Sequence, residues 1–421
     1  MDTKQSSIID ELTWRGLVKQ YTSLERITSA QQNKAGVYCG FDPTADSLHV
    51  GHLIPITLLK RFKLFGFDPI ALIGGGTGMI GDPSFKSQER VLQTAQQVKV
   101  NTDAITKQLK GIIPEVKFAN NYDWLKELTL LNFLRDIGKD FTLAYLLNKE
   151  SIKTRIETGL SVTEFSYTIL QAYDFYQLYQ NYNCQVQIGG SDQWGNITSG
   201  TDLIGAKVGR DQTKAAGLTI NLLTKKDGKK FGKTESGAVW LDAQKTSVYE
   251  FYQFWFNQDD LDAYQMLKFF TFLSQSEIED LKTKAHAQPQ LRLMQVKLAE
   301  EMTLFVHHEQ GLKSAQNITN AFFNGDLKNL NDEELKVVFH SIPSGRISSG
   351  SFLIDGLVTS KAAGSKREAR EFLQSGAISI NGEVINDENF VLSTDLALNH
   401  QYLFIKRGKR KFFGLDLKTR K

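Results

Sequence analysis

Cysteine is nearly absent: Cys39 and Cys184 are the two in 421 residues, far apart and outside any metal-ligand spacing. A disulfide-stapled scaffold and a structural zinc site are thereby excluded, and both thiols are expected to stay free in a reducing cytosol. Proline is scarce, at 7, and neither a disordered chain nor a fibrous repeat fits that composition. No run of about 18 apolar residues occurs, and Met1–Leu12 is acidic and polar without the apolar stretch of a secretory signal, so the expectation is a soluble cytoplasmic protein. Nor does one charge dominate: 50 Lys and Arg against 47 Asp and Glu give +3. The basic excess is local, since from Arg346 onward 13 basic residues face 8 acidic ones. That asymmetry suggests a polyanion-binding appendage on a nearly neutral body, or a solvated basic end.

What is present is ample apolar material, 41% of residues, with 33 Gly, in a length that predicts two or three domains. Up to about Leu222 short apolar runs ending in Gly, Asp or Asn alternate with longer helical stretches, the pattern of an α/β domain with a parallel sheet. The predicted strands are Val37–Phe41, Ile70–Ile73, Val116–Phe118, Val186–Ile188 and Leu218–Leu222. Ligands of such sheets bind beyond the carboxyl ends of the strands. From Thr246 to Phe323 the sequence is rich in Phe, Tyr, Leu, Lys and Glu and poor in Gly, which predicts a helical domain broken near Pro289. The boundaries expected are 1–225 for the α/β body and 226–323 for the helical part. Residues 324–350 read as a polar linker and 351–421 as a small α+β tail.

The strand-end segments carry the candidate chemistry. The first strand leads through Tyr38, Cys39, Gly40, Asp42 and Thr44 to His49-Val50-Gly51-His52, an H-x-G-H at a strand-to-helix junction. Glycine there lets a base approach the backbone, and the imidazoles can reach phosphate or ribose. The four letters alone fit a helix cap with two surface histidines equally well. The second strand runs into Gly74-Gly75-Gly76-Thr77-Gly78-Met79-Ile80-Gly81-Asp82-Pro83, followed by Lys86 and Arg90. It is neither a P-loop nor a dinucleotide fingerprint, and Asp82 suits a turn before proline as well as a site. On a helical pattern, Tyr167, Gln171 and Asp174 fall at i, i+4 and i+7, a polar stripe flanked by large apolar residues that fits a cleft wall. Gln187–Asn196 reads Q-I-G-G-S-D-Q-W-G-N, and Lys229–Thr234 reads K-K-F-G-K-T, either a solvated charge run or a mobile cationic clip for a triphosphate.

Together these segments resemble the class I aminoacyl-tRNA synthetases, and within them the bacterial-type tyrosyl-tRNA synthetases. H-V-G-H is similar to the first signature of that class, K-F-G-K-T to a variant of its second, and Q-I-G-G-S-D-Q-W-G-N to a string specific to the tyrosyl branch. The tail is similar to an S4-type RNA-binding domain, with Ser365–Arg370 opening a basic helix and Ala377–Glu383 a hairpin. The fold so implied is a Rossmann-like parallel-sheet catalytic domain, a helical domain on the anticodon side, and a small α+β S4-like domain. The reaction implied is activation of L-tyrosine with Mg²⁺-bearing ATP to tyrosyl-adenylate, then transfer to the 3′ end of tRNA(Tyr), by a homodimer. No protein-bound metal is implied.

The resemblance also implies roles. Tyr38 and Asp174 would bind the phenolic hydroxyl of tyrosine, and Asp82, Tyr167 and Gln171 its ammonium group. Cys39, Gly40, Asp42, Gly51, His52, Gly190, Asp192 and Gln193 would surround the nucleotide or the aminoacyl carboxylate. Thr44, His49, Lys86, Arg90, Lys230, Lys233 and Thr234 would face the phosphates. In the tail, Lys366, Arg367, Arg370, Lys406, Arg407, Lys409, Arg410 and Lys411 could meet RNA phosphates. The rivals are a tryptophanyl enzyme of the same class, an RNA-binding protein on a synthetase-like body, and another nucleotidylyltransferase with H-x-G-H. A phenol-suited Tyr38 and Asp174 disfavour the first, and the intact signatures the second. The polar stripe and the tail disfavour the third. If the K-F-G-K-T lysines neutralise the departing pyrophosphate, Lys233→Ala will slow adenylate formation far more than it weakens tyrosine binding. Equal losses in single-turnover rate and tyrosine affinity would contradict that role.

Overall fold

The computed structural model describes residues 7–84, 92–156, 159–221, 233–234, 237–408 and 411–418. The chain forms two compact units, one of Met1–Lys245 with Asn257–Met302, the other of Thr246–Phe256 with Thr303–Lys421. The helices expected to make a domain of their own are thus shared between the two.

The first unit is built on six strands: β1 (Val18–Tyr21), β2 (Gly36–Phe41), β3 (Asp68–Ile73), β4 (Lys117–Asn120), β5 (Cys184–Gly190) and β6 (Ala216–Ile220). Their order is β1-β6-β5-β2-β3-β4, all parallel except β1, which runs antiparallel to β6. The five parallel strands fall where the apolar runs predicted them, because a sheet covered on both faces needs unbroken apolar strands. β1 carries no such signal: it is four residues long, alternately exposed, and irregular between Val18 and Gln20. From β2 the chain proceeds outward through β3 and β4, and from β5 in the other direction through β6. The boundary between β2 and β5 is therefore the topological switch point, where the carboxyl ends of the strands open a crevice. At β6, a Cβ on Gly217 would lie 2.2 Å from Ile197 Cγ2, so its absence lets the helix Trp194–Val208 rest directly on the sheet. Apart from this sheet, β7 (Lys233–Thr234) and β8 (Gly237–Ala238) pair as a short antiparallel ribbon.

The helix Leu53–Leu64, which follows H-V-G-H, is tied down at its far end. Arg61 and Arg15, 1% and 2% exposed, share Glu11 and donate to the carbonyls of Lys268, Phe269, Thr271 and Leu273 at the end of the helix Asp260–Phe270. Two guanidinium groups thus satisfy the orphan carbonyls of one helix C-terminus and complement its dipole. Burial, then the neighbouring Arg15, brings Arg61 down to about 9. The predicted break at Pro289 is a short 3₁₀ turn, Pro289–Leu291, and the helix Leu293–Asn324 leaves helical geometry at His308.

In the second unit, β9 (Ser344–Ser348), β10 (Ile378–Ile380), β11 (Glu383–Val384), β12 (Tyr402–Arg407) and β13 (Lys411–Lys418) form a sheet in the order β11-β10-β12-β13-β9. The predicted hairpin is β10–β11, turned by Asn381-Gly382, both at positive φ. The predicted basic helix is Lys366–Gln374, capped by Ser365. Residues 324–350, expected as a linker, instead hold the helix Asp332–Ser341 and β9, which pairs in parallel with β13. Period-two alternation explains why: Leu403 and Ile405 enter a core with Leu357 and Leu373, while Tyr402 and Phe404 face a second core with Ile318, Val338 and Phe339. Both sheet faces need a cover, and the polar stretch conceals the element that supplies one. Among the described residues, no helix is long and apolar enough to cross a membrane.

Replacing Arg15 by Met leaves the Glu11 carboxylate and several helix-end carbonyls short of donors. We expect a loss of roughly 3 kcal/mol of stability in urea unfolding; an unchanged midpoint would mean that these bonds contribute nothing net.

Candidate active site

A cavity of about 530 Å³ opens at the switch point, lined from β2, the turn after β3, the helix Val162–Tyr182, and the end of β5 with the turn after it. Among the predicted residues it gathers Tyr38, Cys39, Gly40, Asp42, Thr44, Gly51, His52, Asp82, Tyr167, Gln171, Asp174, Gly190, Asp192 and Gln193. Lys86, Arg90 and Lys230 lie outside the described residues. Lys233 and Thr234 are described in their backbone, as the strand β7.

At the floor, Asp174 is 2% exposed, and its two oxygens accept from Asn121 Nδ2 and Trp124 Nε1, each at 2.8 Å. Burial nonetheless raises the carboxyl to about 7, since desolvation outweighs the two bonds. Tyr38, 1% exposed, packs its ring against Phe175 at 5.3 Å. Its hydroxyl has no hydrogen-bond partner among the described residues. Burial, then the Asp174 charge, pushes the Tyr38 phenol well above its ordinary value, so it stays a donor. A buried hydroxyl with bonding capacity to spare, beside a buried carboxylate, is a receptor for a ligand hydroxyl.

One level up, Asp42 accepts from Tyr167 Oη and Thr77 Oγ1, both at 2.8 Å. Asp82 accepts from the Ser84 amide at 3.0 Å and from Gln193 Nε2 at 2.8 Å, so it is both the turn residue and a site residue. Asn196 donates to Gln171 Oε1 at 3.1 Å and Gln193 Oε1 at 3.2 Å. The polar stripe on Val162–Tyr182 is anchored at its base by Glu164, 1% exposed, whose carboxylate receives both terminal nitrogens of the buried Arg155 at 2.8 and 3.4 Å. The glycine cluster has a packing cause: a Cβ on Gly74 would lie 2.0 Å from Asp42 Oδ1 and 2.6 Å from Thr77 Oγ1. Gly40, by contrast, would meet nothing within 4 Å, leaving its backbone open to a ligand.

Gly51 and His52 line the cavity and His49 does not; the Gly51 amide donates to His49 Nδ1 at 3.0 Å, and the His49 amide to His52 Nδ1 at 3.2 Å. With both Nδ1 atoms accepting, the neutral rings carry their protons on Nε2. Burial, then His49, lowers His52 to about 3, so it acts as a neutral donor. His49 forms an isolated antiparallel bridge with Trp240, and the Val50 amide donates to Val239 at 2.9 Å. The residues just beyond K-F-G-K-T are therefore stitched to H-V-G-H. Burial also raises the Cys39 thiol to about 12, which makes it an inert wall.

Sequence reasoning missed Thr77, Asn121 and Trp124. The last two follow β4, and the rule that strand ends carry the site pointed to them, although a polar Asn-Asn-Tyr-Asp-Trp run has no motif. In the second unit, Lys366, Arg367 and Arg370 pair with Asp355, Glu371 and Glu388 at 2.6, 3.1 and 3.4 Å while staying largely exposed. Arg407 lies over the rings of Phe372 and Phe413 and donates to the Ala362 carbonyl. Lys409 and Arg410 fall outside the described residues.

A parallel sheet with its cavity at the switch point and an H-x-G-H turn paired with Val239 and Trp240 are the frame of a class I aminoacyl-tRNA synthetase. Residues 30–324 match the family model of tRNA synthetases class I (W and Y), and residues 334–415 that of the tyrosine--tRNA ligase SYY-like C-terminal domain. The chain is 60% identical to the tyrosine--tRNA ligase of Mesoplasma florum, with 98% of this chain and 100% of that protein covered. It is 59% identical to that of Mycoplasma capricolum subsp. capricolum, with the same coverage. A crystal structure of a C-terminally truncated mitochondrial tyrosyl-tRNA synthetase from Aspergillus nidulans matches with a TM-score of 0.69 at 30% identity, covering 76% of this chain and 96% of that one. The chain belongs to the tyrosine--tRNA ligases.

The Asp174 carboxyl gives a stability signature. Its folded value of about 7 lies above an unfolded value of about 4. Between those limits the unfolded chain gives up a proton that the folded one keeps, so ligand-free stability falls as pH rises from about 4 to 7 and is flat in this contribution above it. Asp174→Asn should remove a pH-dependent penalty on the order of 4 kcal/mol across that window. Identical pH profiles for both proteins in urea unfolding would contradict the assignment.

Proposed function

We propose that this chain activates L-tyrosine with ATP, giving tyrosyl-adenylate and pyrophosphate, and transfers the tyrosyl group to the 3′ end of tRNA(Tyr). The observation that carries the reading is the buried Tyr38 hydroxyl beside the buried Asp174 carboxylate at the cavity floor. Tyrosine enters phenol first, donates to Asp174 and accepts from Tyr38, with its ammonium group at Asp82, Tyr167 and Gln171. Its carboxylate then lies near Gln193 and Asp192, where it attacks the α-phosphate of ATP. The α-phosphate bond to the bridging oxygen of pyrophosphate breaks as the new P–O bond forms, and the carboxylate needs no general base. The cavity walls carry four carboxylates, Asp42, Asp82, Asp174 and Asp192. They favour the ammonium group and repel phosphate, so neutralisation falls to Mg²⁺ arriving with ATP and to Lys86, Arg90, Lys230 and Lys233. The Nε2–H donors of His49 and His52, with Thr44 and Thr234, complete that shell.

In this reading the molecule works as a homodimer. Leu130, Leu131, Leu134, Leu143 and Val162 are between 54% and 81% exposed, all within residues 130–162, and a second copy would cover them. The C-terminal unit takes the tRNA through its basic face, in which Lys366, Arg367, Arg370, Lys406 and Lys411 are contact residues. Arg407 serves the fold as well, through Phe372, Phe413 and Ala362. The reaction belongs to the cytoplasm, where the two buried thiols stay reduced.

Pyrophosphate exchange into ATP, run with each of the twenty amino acids, isolates the first step. Exchange with tyrosine alone is expected. Exchange with tryptophan would mean that the Tyr38–Asp174 floor is misread, and none at all would favour an RNA-binding protein on a retired scaffold.

A further inference from the structure

The loop between the end of β2 and H-V-G-H, residues 42–48, is gripped by one neighbouring helix, Ala95–Ile112, and by Gln93 just before it. Asn101 Nδ2 donates to the Pro43 carbonyl and to Gln93 Oε1, each at 3.1 Å, while Asn101 Oδ1 accepts from Gln97 Nε2 at 2.9 Å. Gln93 Nε2 donates to the Thr44 carbonyl at 3.0 Å. Two turns further on, Gln108 Oε1 accepts from the Leu48 amide at 2.8 Å, and its Nε2 donates to Ser47 Oγ at 3.2 Å. Three amides thus bind the loop at Pro43, Thr44, Ser47 and Leu48. From the other side Pro43 is wedged by the glycine turn: a Cβ on Gly78 would lie 2.9 Å from Pro43 Cδ.

Asn101 is 2% exposed and sits in the inward stripe of its helix, with Val98, Ile105, Leu109 and Ile112. An apolar residue would fill that position at no polar desolvation cost. What an apolar residue cannot do is aim a hydrogen bond at the Pro43 carbonyl, one residue before Thr44.

We propose that Asn101, acting with Gln93 and Gln108, is a positioning residue for adenylate formation: it holds the Thr44 loop where the departing pyrophosphate must be met. This rests on the reading of Thr44 as a phosphate-facing group. The tyrosine contacts at Tyr38, Tyr167, Gln171 and Asp174 lie on other elements, and the amides grip Pro43–Leu48, beyond Asp42, the loop residue that meets Tyr167, so the device acts on the rate of activation rather than on tyrosine affinity.

The test uses the full-length chain and its Asn101→Leu, Gln93→Ala, Thr44→Ala and Asn101→Leu/Thr44→Ala variants. Three quantities are measured: single-turnover adenylate formation, tyrosine Kd without ATP, and thermal midpoint. For Asn101→Leu we expect an unchanged Kd, a modestly lowered midpoint for the donors lost to Pro43 and Gln93, and a rate lowered roughly 10- to 100-fold, the scale of a displacement near 1 Å. Thr44→Ala should then add little in that background, since the loop is already misplaced. Gln93→Ala, at a half-buried position, should show a smaller loss of the same kind and carries the test if Asn101→Leu does not fold. A full rate in both clamp variants with a slow Thr44→Ala overturns the proposal alone. Tyrosine affinity falling in step with rate also overturns it, as a general loosening. A full rate in Thr44→Ala overturns the underlying reading of Thr44.

Discussion

A carboxylate buried at the bottom of a cavity is costly, and the arrangement around Asp174 follows from that cost. Asn121 and Trp124 occupy its oxygens, and Asn121 in turn donates to Thr77 and accepts from the Gly76 amide. Thr77 then holds Asp42, which Tyr167 holds from the opposite wall. The glycines of the Gly74–Gly81 turn are what this web looks like from the backbone: side chains at Gly74 or Gly76 would occupy the space of Asp42, Thr77 and Leu125. Even so, burial leaves the Asp174 carboxyl near 7, half-charged in the neutral range. On the proposed reading a substrate phenol supplies this carboxyl with a further donor. Phenylalanine, without one, would leave both Asp174 and Tyr38 buried beside an apolar ring.

The same economy explains the division of labour along the cavity. On the proposed reading an acidic floor recognises a phenol and an ammonium group, but it is the wrong environment for a triphosphate. On the proposed reading the positive charge comes from Lys86, Arg90, Lys230 and Lys233, and Val239 and Trp240, a few residues past Lys233, pair with H-V-G-H. His52, held neutral by burial, contributes a directed donor without adding a titrating charge. On that reading activation depends on where donors are placed rather than on a proton relay, and the framework of the loop before H-V-G-H would matter as much as the residues proposed to touch ATP.

Much of this was legible in the sequence. The parallel strands announced themselves because burial on two faces demands continuous apolar runs, and the predicted residues that line the cavity stand at strand ends or at helical spacing. Tyr167, Gln171 and Asp174 share one helix wall, as their spacing required. What was not legible depended on partners distant in sequence. β1 exists because it borrows the edge of β6. β9 and Asp332–Ser341 cover the far face of the C-terminal sheet; β9 has too little local pattern to announce itself, whereas the Asn331–Glu334 capping box and the Leu335, Val338, Phe339 stripe were a helix signal passed over in a polar stretch. Asn121 and Trp124 stood at a strand end, but their run has no motif, and their part became specific only when Asp174 was seen to take its donors from them.

If burial governs the floor of the cavity, Asp174 holds a proton in the free protein and surrenders it when a phenol arrives. Isothermal calorimetry of tyrosine binding near pH 6, repeated in buffers of different ionisation enthalpy, counts that proton directly. The expected result is release approaching one proton for tyrosine near pH 6, fading above pH 8. No buffer dependence at pH 6 would contradict it, because the floor would then be an ordinary ionised carboxylate and the phenol would be recognised without any proton leaving Asp174.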